Sequence, residues 1–275
     1  FWENNIFDIK KKIYKKIYRK ITDTPEATKL KKKFRFVNES PNYFFKSFGG
    51  KNRDKLFYII KIHETAKEGG GLFSNLLFVL NHLKIVEELK AIPIIDMENF
   101  YNRYNEKSSV NGTKNSWLYY FEPVSKYSLK EVYKSKNVLI TNGFFSNNMK
   151  KNYHDDKKLK VVFLKYIKIK ERFIKNKTNF EKKNFKKNKV LGVHFRGVDR
   201  IVMPGHPLPP TVKQMFNLVD QALVKYNFQK IFLLTDSLRY LNLFKMKYNK
   251  ILLFRKESFR SDIPKIFHLK DRKNH

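Results

Sequence analysis

Residues 189–197 have the sequence KVLGVHFRG and residues 230–236 have the sequence KIFLLTD, and both are short apolar runs that end in polar residues. Such runs predict buried strands. Between them lies TVKQMFNLVDQALVKY at 211–226, whose apolar residues recur at helical spacing and predict an amphipathic helix. A further helix is predicted at 237–248 and a further strand at 250–254. This β-α-β-α-β order predicts a parallel sheet with right-handed crossovers.

The first half of the chain shows a similar alternation. LFYIIKI at 56–62 predicts a buried strand, and a glycine-rich turn leads from it into LFSNLLFVLNHLKIVEEL at 72–89, which predicts a helix. AIPIID at 91–96 predicts a strand whose proline favours an edge position. NVLITNG at 137–143 predicts another strand. The fold class predicted for the chain is therefore α/β, with two Rossmann-like lobes.

The segment between the two lobes is rich in lysine. Residues 155–177 predict one long basic helix with Val162, Ile169 and Phe173 on its inward face, and residues 176–189 predict a linker. The second lobe shows three predicted strands, whereas a doubly wound lobe usually has about five or six, so we expect it either to be truncated at its C-terminus or to be unusually small. The predicted domains are a basic N-terminal helical arm at 1–55, a first α/β lobe at 56–180 and a second, incomplete Rossmann-like lobe at 181–275.

The composition limits the classes of partner. The formal net charge is +34, and 48 lysines stand against 11 arginines. Because specific nucleic-acid recognition relies on arginine forks as well as lysine charge, we expect no specific nucleic-acid partner and attribute the lysine excess to compositional bias. The chain has no cysteine, so it holds no disulfide and no Cys-ligated metal. No apolar run approaches the roughly 20 residues that span a bilayer, and we expect a cytoplasmic protein.

The N-terminal arm contains a candidate membrane contact. Ile9, Ile13, Ile17 and Ile21 recur every four residues among lysines, which predicts a helix with one apolar stripe. One interpretation is that residues 6–21 lie on an anionic membrane surface, at the inner face of the membrane. The other is that this helix packs on the domain with its lysines in solvent, and the lysine-rich character of the whole chain favours that alternative.

Polar side chains follow the predicted strands of the second lobe, at the carboxyl ends where parallel α/β sheets bind their ligands. Strand alternation places His194 and Arg196 on the same face. An arginine fork suits two oxygens of a diphosphate, and a fixed cation stabilises the charge that develops on a departing nucleoside diphosphate. The alternative is a buried arginine–aspartate pair that holds the loop in place. The residues at these ends are His194, Arg196, Asp199, Thr235, Asp236 and Ser237.

The end of the second of these strands has two compatible roles. Thr235, Asp236 and Ser237 suit hydrogen bonds to ribose, base or phosphate, and Asp236 or Ser237 equally suits the N-cap of the helix that follows. The proline-rich loop MPGHPLPP at 203–210 presents His206, which is either an acid/base candidate or an ordinary surface histidine.

The glycine-rich turn of the first lobe is a further candidate. Gly69, Gly70 and Gly71 precede the predicted helix that carries Asn75, and free backbone N–H groups at such a position suit a phosphate or a sugar. A plain flexible turn explains the glycines equally well. No Asp-x-Asp motif occurs, so we expect no metal ion at the site.

Three segments taken together resemble a known family. They are GGGLFSNLLFVLNHL at 69–83, GVHFRGVD at 192–199 and IFLLTDS at 231–237. In this order they resemble the fucosyltransferase superfamily, which includes the α-1,6- and nodulation-type fucosyltransferases and the protein O-fucosyltransferases. The resemblance implies a two-lobed GT-B-like fold, with the lobe at 56–180 on the acceptor side and the lobe at 181–275 binding the donor. It also implies an inverting, metal-independent transfer from GDP-fucose to a glycan or glycolipid acceptor, with no cofactor.

The resemblance further implies roles for individual residues. Arg196 would contact the β-phosphate of the donor, with His194 and Asp199 shaping that pocket, while Asp236 and Ser237 would border the nucleotide. The turn before Asn75 would face the diphosphate or the acceptor. The candidate catalytic residues are therefore Arg196, His194, Asp199 and His206, and the candidate donor-binding residues are Gly70, Gly71, Asn75, Arg196, Thr235, Asp236 and Ser237.

The sequence leaves the general base and the exact function open. Met203 and Pro204 stand where some relatives have an acidic residue, so the base is open among His206, Asp199 and Glu68. A transferase that uses another nucleotide-sugar is one alternative. The others are a noncatalytic basic protein that binds a membrane surface or nucleic acid, and a noncatalytic lectin-like relative.

Overall fold

The computed structural model describes residues 43–62, 71–141, 156–197 and 208–263. The chain divides into two compact units, Phe1–Lys170 and Glu171–His275. The second unit thus begins ahead of residue 181, where the sequence placed the start of the second lobe. The predicted membrane-surface helix at 6–21 lies outside the described residues.

A four-stranded sheet forms the centre of the first unit. Its strands are β1 Tyr43–Lys46, β2 Lys51–Ile60, β3 Ile92–Ile95 and β4 Ser135–Thr141, in the order β1-β4-β2-β3. β2 pairs parallel with β3 and with β4, whereas β1 pairs antiparallel with β4. The helices are α1 Leu72–Leu89, the one-turn α2 Leu129–Val132, α3 Asp156–Tyr166 and a 3-10 turn at Ser116–Tyr119.

Most of the predicted elements of this unit are confirmed. α1 has the predicted bounds, and the three predicted strands correspond to β2, β3 and β4. β3 lies at an edge of the sheet, as Pro93 indicated. The helical arm predicted up to residue 55 is wrong from Tyr43 onward. There the chain forms β1 and the first half of β2, because the backbone of β1 pairs with β4.

The sheet is buried on both faces, as is typical of parallel strands. Tyr58 and Ile60 of β2 pack in one core cluster with α1, while Phe57 and Ile59 pack in another cluster on the opposite face. Successive side chains of a strand point to opposite faces, so one strand supplies both clusters. This burial explains why residues 56–60 form a continuous apolar run rather than an alternating one.

Two buried polar side chains of the first unit, His82 and Asp96, form hydrogen bonds. The His82 ring is fully buried, and its Nδ1 lies 2.9 Å from the Tyr58 hydroxyl. Burial lowers the pKa of His82 to about 3, so the ring is neutral at physiological pH. At the end of β3 the buried Asp96 accepts hydrogen bonds from the backbone N–H of Asn99 at 2.8 Å and from the Tyr133 hydroxyl at 2.6 Å. Burial, and then Asp96 itself, raises the pKa of Tyr133.

The single long helix predicted at 155–177 is wrong. The chain instead forms α3, leaves the helical path and enters a second helix, α4 Glu171–Asn184. Between them Glu122 N–H donates to the Lys168 carbonyl at 2.8 Å and Lys170 N–H donates to the Tyr120 carbonyl at 3.0 Å. These bonds replace helical ones. Of the three residues predicted to face inward, Val162 is buried, Phe173 is half-buried and Ile169 is 44% exposed.

The linker predicted at 176–189 is also wrong, because most of it lies in α4. α4 begins the second unit, and no residue of it is fully buried. Phe180 of α4 and Phe185 just after it contact Phe232, with ring centroids 5.2 and 5.6 Å away. Phe180 and Phe185 thus attach this lysine-rich segment to the second unit. A lysine-rich composition alone does not distinguish such a helix from a linker.

The second unit contains the predicted β-α-β-α-β order. Its strands are β5 Val190–His194, β6 Lys230–Leu234 and β7 Leu252–Leu253, and its helices after α4 are α5 Val212–Tyr226 and α6 Leu238–Tyr248. All pairings are parallel, in the order β5-β6-β7. One cluster unites Val193 and Phe195 with Val219 of α5 and Phe244 of α6, so both helices cover the same face of the sheet. None of the helices in the described part of the chain is long and apolar enough to cross a membrane.

The buried His82 predicts a specific pH dependence of stability. The unfolded chain binds a proton near the ordinary histidine pKa of about 6.5, whereas the folded ring does so only near 3. Stability therefore falls as the pH falls between these values, and His82 accounts for a loss of about 2–3 kcal/mol between pH 7 and pH 4.5. In His82→Gln this part of the loss disappears.

The measurement is urea unfolding at both pH values, followed by Trp117 fluorescence in a Trp2→Phe background, because Trp117 is a buried residue of the first unit. Carboxylates titrate in the same range, so the quantity compared is the pH-induced loss in the parent minus that in His82→Gln. Equal losses in the two proteins would show that folding does not depress the His82 pKa.

Candidate functional site

β5 carries the first candidate residues at its carboxyl end. Val193 and Phe195 are buried on the helix-covered face, whereas His194 and Arg196 are exposed. The predicted placement of these two polar side chains on one face is therefore confirmed. Phe195 N–H still donates to the Leu234 carbonyl of β6 at 2.9 Å, so the chain stays tied to the sheet up to Arg196.

Asp236 connects the ends of the two strands. Its Oδ1 accepts a hydrogen bond from Gly197 N–H at 3.3 Å, and its Oδ2 lies 3.9 Å from Arg196 Nε. The Arg196 side chain is 43% exposed and the Asp236 side chain 29% exposed, so this pair differs from the buried arginine–aspartate pair considered from the sequence. A partly exposed ion pair adds little stability, but it restricts where the guanidinium lies.

A close approach of Tyr240 explains why residue 197 is glycine. A Cβ at this position would lie 2.7 Å from Tyr240 Cε2 and 2.9 Å from its hydroxyl oxygen. The Tyr240 ring stacks on Phe195 with a centroid distance of 3.9 Å and an interplanar angle of 2°. Because this stacking holds the ring, even a methyl group at residue 197 requires the Tyr240 ring to move, and the backbone there lies directly against α6.

Ser237 is the N-cap of α6. Its hydroxyl accepts from Tyr240 N–H at 3.0 Å and donates to Asp262 Oδ1 at 2.7 Å, and the side chain is buried. Asp262 also accepts from Arg239 N–H at 2.9 Å. The N-cap role predicted for this position is thus confirmed for Ser237, and the carboxylate of Asp262 binds the free N–H group of the helix. Thr235 stabilises the same turn, since its Oγ1 accepts from Ser237 N–H at 3.2 Å.

The structure describes only some of the other predicted site residues. Gly71 is the N-cap residue of α1, and its carbonyl accepts from the N–H of Asn75, whose side chain is buried in the first turn. The remaining candidates, Gly69, Gly70, Glu68, Asp199 and His206, lie outside the described residues. The roles of all these residues in donor binding and catalysis stay predictions.

The geometry of the described residues favours recognition of an anion. A guanidinium group, positioned by a carboxylate, stands at the carboxyl edge of a parallel sheet, where ligands of such sheets bind. Sequence inspection missed Tyr240 and Asp262, which shape this edge. Within the described ranges no group of three or more His, Asp or Glu side chains is placed to hold a metal ion.

No family model matches the chain, and no curated protein matches it in sequence. Among solved structures it is similar to NodZ α-1,6-fucosyltransferase soaked with GDP-fucose, with 14% identity and a TM-score of 0.44 over 74% of this chain and 79% of that one. It is also similar to fucosyltransferase NodZ from Bradyrhizobium, with 13% identity and a TM-score of 0.47 over 73% and 79% of the two chains. For NodZ co-crystallised with GDP the identity is 13% and the TM-score 0.42, over 74% and 79%.

The contact between Gly197 and Tyr240 makes a testable prediction about the second unit. Gly197→Ala forces the stacked ring to move and costs about 1–3 kcal/mol of stability, as overpacking usually does. Gly192→Ala in the same strand is the matched control, because a Cβ there meets no atom of the described residues within 4 Å. Hydrogen exchange of the β5 and β6 amides measures both effects, since these amides lie in the second unit.

A third variant assigns the cause. In a Tyr240→Ala background, Gly197→Ala costs less than about 0.5 kcal/mol, because the obstructing ring is gone. If Gly197→Ala destabilises equally in both backgrounds, the glycine is required for a reason other than Tyr240.

Proposed function

We propose that this chain is a glycosyltransferase whose second unit binds the diphosphate of a nucleotide-sugar donor. The observation that carries the proposal is the contact of Asp236 with both Arg196 and the Gly197 N–H at the carboxyl edge of the β5-β6 pair. The donor that the motif resemblance implies is GDP-fucose. The acceptor class that it implies is a glycan or glycolipid.

Arg196 supplies the electrostatic part of the proposed mechanism. When the bond between the sugar and the diphosphate breaks, negative charge develops on the departing phosphate oxygen, and a positioned cation stabilises it. Asp236 restricts the guanidinium through the contact at Nε, while 43% of the Arg196 side chain stays exposed to a ligand. A cation placed in advance needs little reorganisation during the reaction, which is why the ion pair matters more for catalysis than for stability.

The remaining steps of the proposal follow from the chemistry of sugar transfer. In an inverting transfer the acceptor hydroxyl attacks the anomeric carbon on the face opposite to the diphosphate. A general base takes the proton of that hydroxyl, and His206, Asp199 and Glu68 are the candidates. Arginine replaces a divalent cation at the diphosphate, so we propose that the reaction needs no metal.

We further propose a peripheral location at the inner face of the membrane, with residues 6–21 on anionic lipid.

One observation favours a second function. The net charge of +34 attracts any polyanion, so a noncatalytic protein that binds an anionic membrane or nucleic acid is the competing candidate. The two proposals differ in where an anion binds. A specific donor site depends on Arg196 in particular, whereas diffuse attraction depends on the number of charges and weakens with salt.

The test compares binding of GDP and GDP-fucose by the parent chain with binding by Arg196→Ala and Arg255→Ala. Both variants remove one arginine from the second unit, and Arg255 is also a partly exposed arginine beside a carboxylate, Glu257 at 3.8 Å. We expect Arg196→Ala to weaken binding by about 10- to 100-fold, which corresponds to lost hydrogen bonds to a charged group. We expect Arg255→Ala to change it by less than about twofold, since one exposed charge among many has a small effect.

Calorimetry at low and high salt, with and without EDTA, measures these affinities, and GDP-fucose hydrolysis measures turnover. An affinity for GDP that is unchanged by EDTA and is retained at high salt supports the donor site. Equal weakening in the two variants, or binding that vanishes with salt, would sink the transferase proposal and favour the polyanion-binding protein.

A further inference from the structure

A cavity of about 350 Å³ lies in the first unit, beside the carboxyl end of edge strand β3. Cavities of this size are within the range that proteins use for small molecules. Ile94 and Ile95 of β3 form one wall, and the chain between Asn115 and Leu129 forms the others. Apolar side chains predominate, including the aromatic Trp117 and Tyr127. None of these residues belongs to the candidate donor site.

The walls of this cavity are fixed by hydrogen bonds and ring contacts. Asn115 donates to the Ile95 carbonyl at 2.8 Å and accepts from the Trp117 N–H at 3.2 Å, which ties the 3-10 turn to the end of β3. The Trp117 ring stacks on Phe121 at 4.4 Å, and the Tyr127 ring meets Phe57 edge-on at 5.0 Å. Pre-formed walls of this kind are typical of ligand sites, because little ordering is needed when a ligand binds.

Ser125 is the unusual residue of the lining. Its hydroxyl oxygen is buried and has no hydrogen-bond partner within the described part of the chain. Leaving a buried hydroxyl without a partner costs free energy, and proteins rarely tolerate it without a reason. Rotation about χ1 moves a serine hydroxyl between three staggered positions, so a ligand in the cavity can recover this lost hydrogen bond.

The charges of the described lining balance one another. Among the residues that the structure describes, Glu98 and Lys126 are the only charged side chains of the lining, one of each sign, so this wall is formally neutral in a protein of net charge +34. The carboxylate accepts hydrogen bonds, the ammonium donates them, and the Ser125 hydroxyl does both. Other polar lining groups are already engaged, as Ser128 forms a capping box with Glu131. A ligand that satisfies these three groups carries several hydroxyls around an otherwise apolar frame.

We infer that this cavity binds a neutral hydroxylated ring, of the size and chemistry of a single hexose unit. The sugar ring lies against Tyr127, and its hydroxyls meet Glu98, Ser125 and Lys126, while the buried Trp117 supports the wall. This site lies wholly within the first unit, so it does not depend on the donor site proposed for the second. The two proposals therefore fail separately, because loss of GDP binding leaves hexose binding untouched.

The experiment uses the full chain with Trp2→Phe, which leaves Trp117 as the single tryptophan and places it in the cavity wall. Trp117 fluorescence and the methyl signals of Ile94 and Ile95 then report binding at the site. The probes are methyl glycosides of the common neutral hexoses, with glucuronate, glucosamine and zwitterionic leucine as charged comparisons. For a ligand of about 12 heavy atoms we expect a Kd of about 1–10 mM for at least one neutral glycoside.

Ser125→Ala separates a ligand-binding role from a structural one. It removes a buried hydroxyl that has no described partner, so the urea midpoint stays equal or rises, while glycoside affinity falls about three- to tenfold. Ser109→Ala, an exposed serine outside the lining, leaves both unchanged. Glu98→Gln keeps the side-chain shape and weakens binding by a similar factor.

Three results would overturn the inference. The first is that no neutral glycoside binds up to about 50 mM, which is well above the Kd expected for a ligand of this size. The second is that leucine or a charged sugar binds more tightly than every neutral glycoside. The third is that glycoside affinity is unchanged in both Ser125→Ala and Glu98→Gln. Weakened binding in these two variants and not in Ser109→Ala supports the inference.

Discussion

The candidate site depends on the parallel, in-register pairing of β5 with β6. This pairing sets His194 opposite Leu234, so the loops that follow the two strands leave the sheet side by side. Only because they do so can Asp236 contact both Arg196 and the Gly197 N–H. The sequential strand order places both crossover helices on one face. On the opposite face Phe180 and Phe185 contact Phe232, and His194 and Arg196 remain exposed beyond them. The electrostatics of the site are thus a consequence of strand register.

Two groups at this edge of the sheet can bind an anion, the N-terminus of α6 and the Arg196 side chain, and the first is already occupied by Asp262. The N-terminus of α6 is a favourable place for negative charge, and Asp262 already binds there through Arg239 N–H and the Ser237 hydroxyl. A diphosphate at this edge is therefore expected to interact with the Arg196 side of the site rather than with the α6 terminus. The buried Ser237 is fully engaged in capping, which makes it a positioning residue for the turn that carries Asp236.

The sequence predicts the parts of this structure that follow from local periodicity. The bounds of α1, the second-unit order and the shared face of His194 and Arg196 all follow from the spacing of apolar residues. It does not predict features that depend on contacts between distant segments. β1 pairs with β4, and the bonds of Lys168 and Lys170 to residues 120–122 interrupt a helix that its own sequence favours. Asp262 lies 25 residues beyond the Ser237 that it contacts, with no motif to link them.

The two proposed sites differ in their local charge: Arg196 is a cation, whereas the charged side chains of the first-unit cavity balance one another. The surface carries a large positive excess, so attraction of an anion to this protein is by itself weak evidence for a specific site. Arg196 is informative because Asp236 positions it, and the first-unit cavity is informative because Glu98 and Lys126 cancel within it. A protein that only attracted polyanions has no need of a neutral cavity with fixed walls, or of a buried Ser125 hydroxyl without a partner among the described residues. The coexistence of a directed cation and a neutral polar cavity in one chain therefore favours a protein that handles two chemically different ligands.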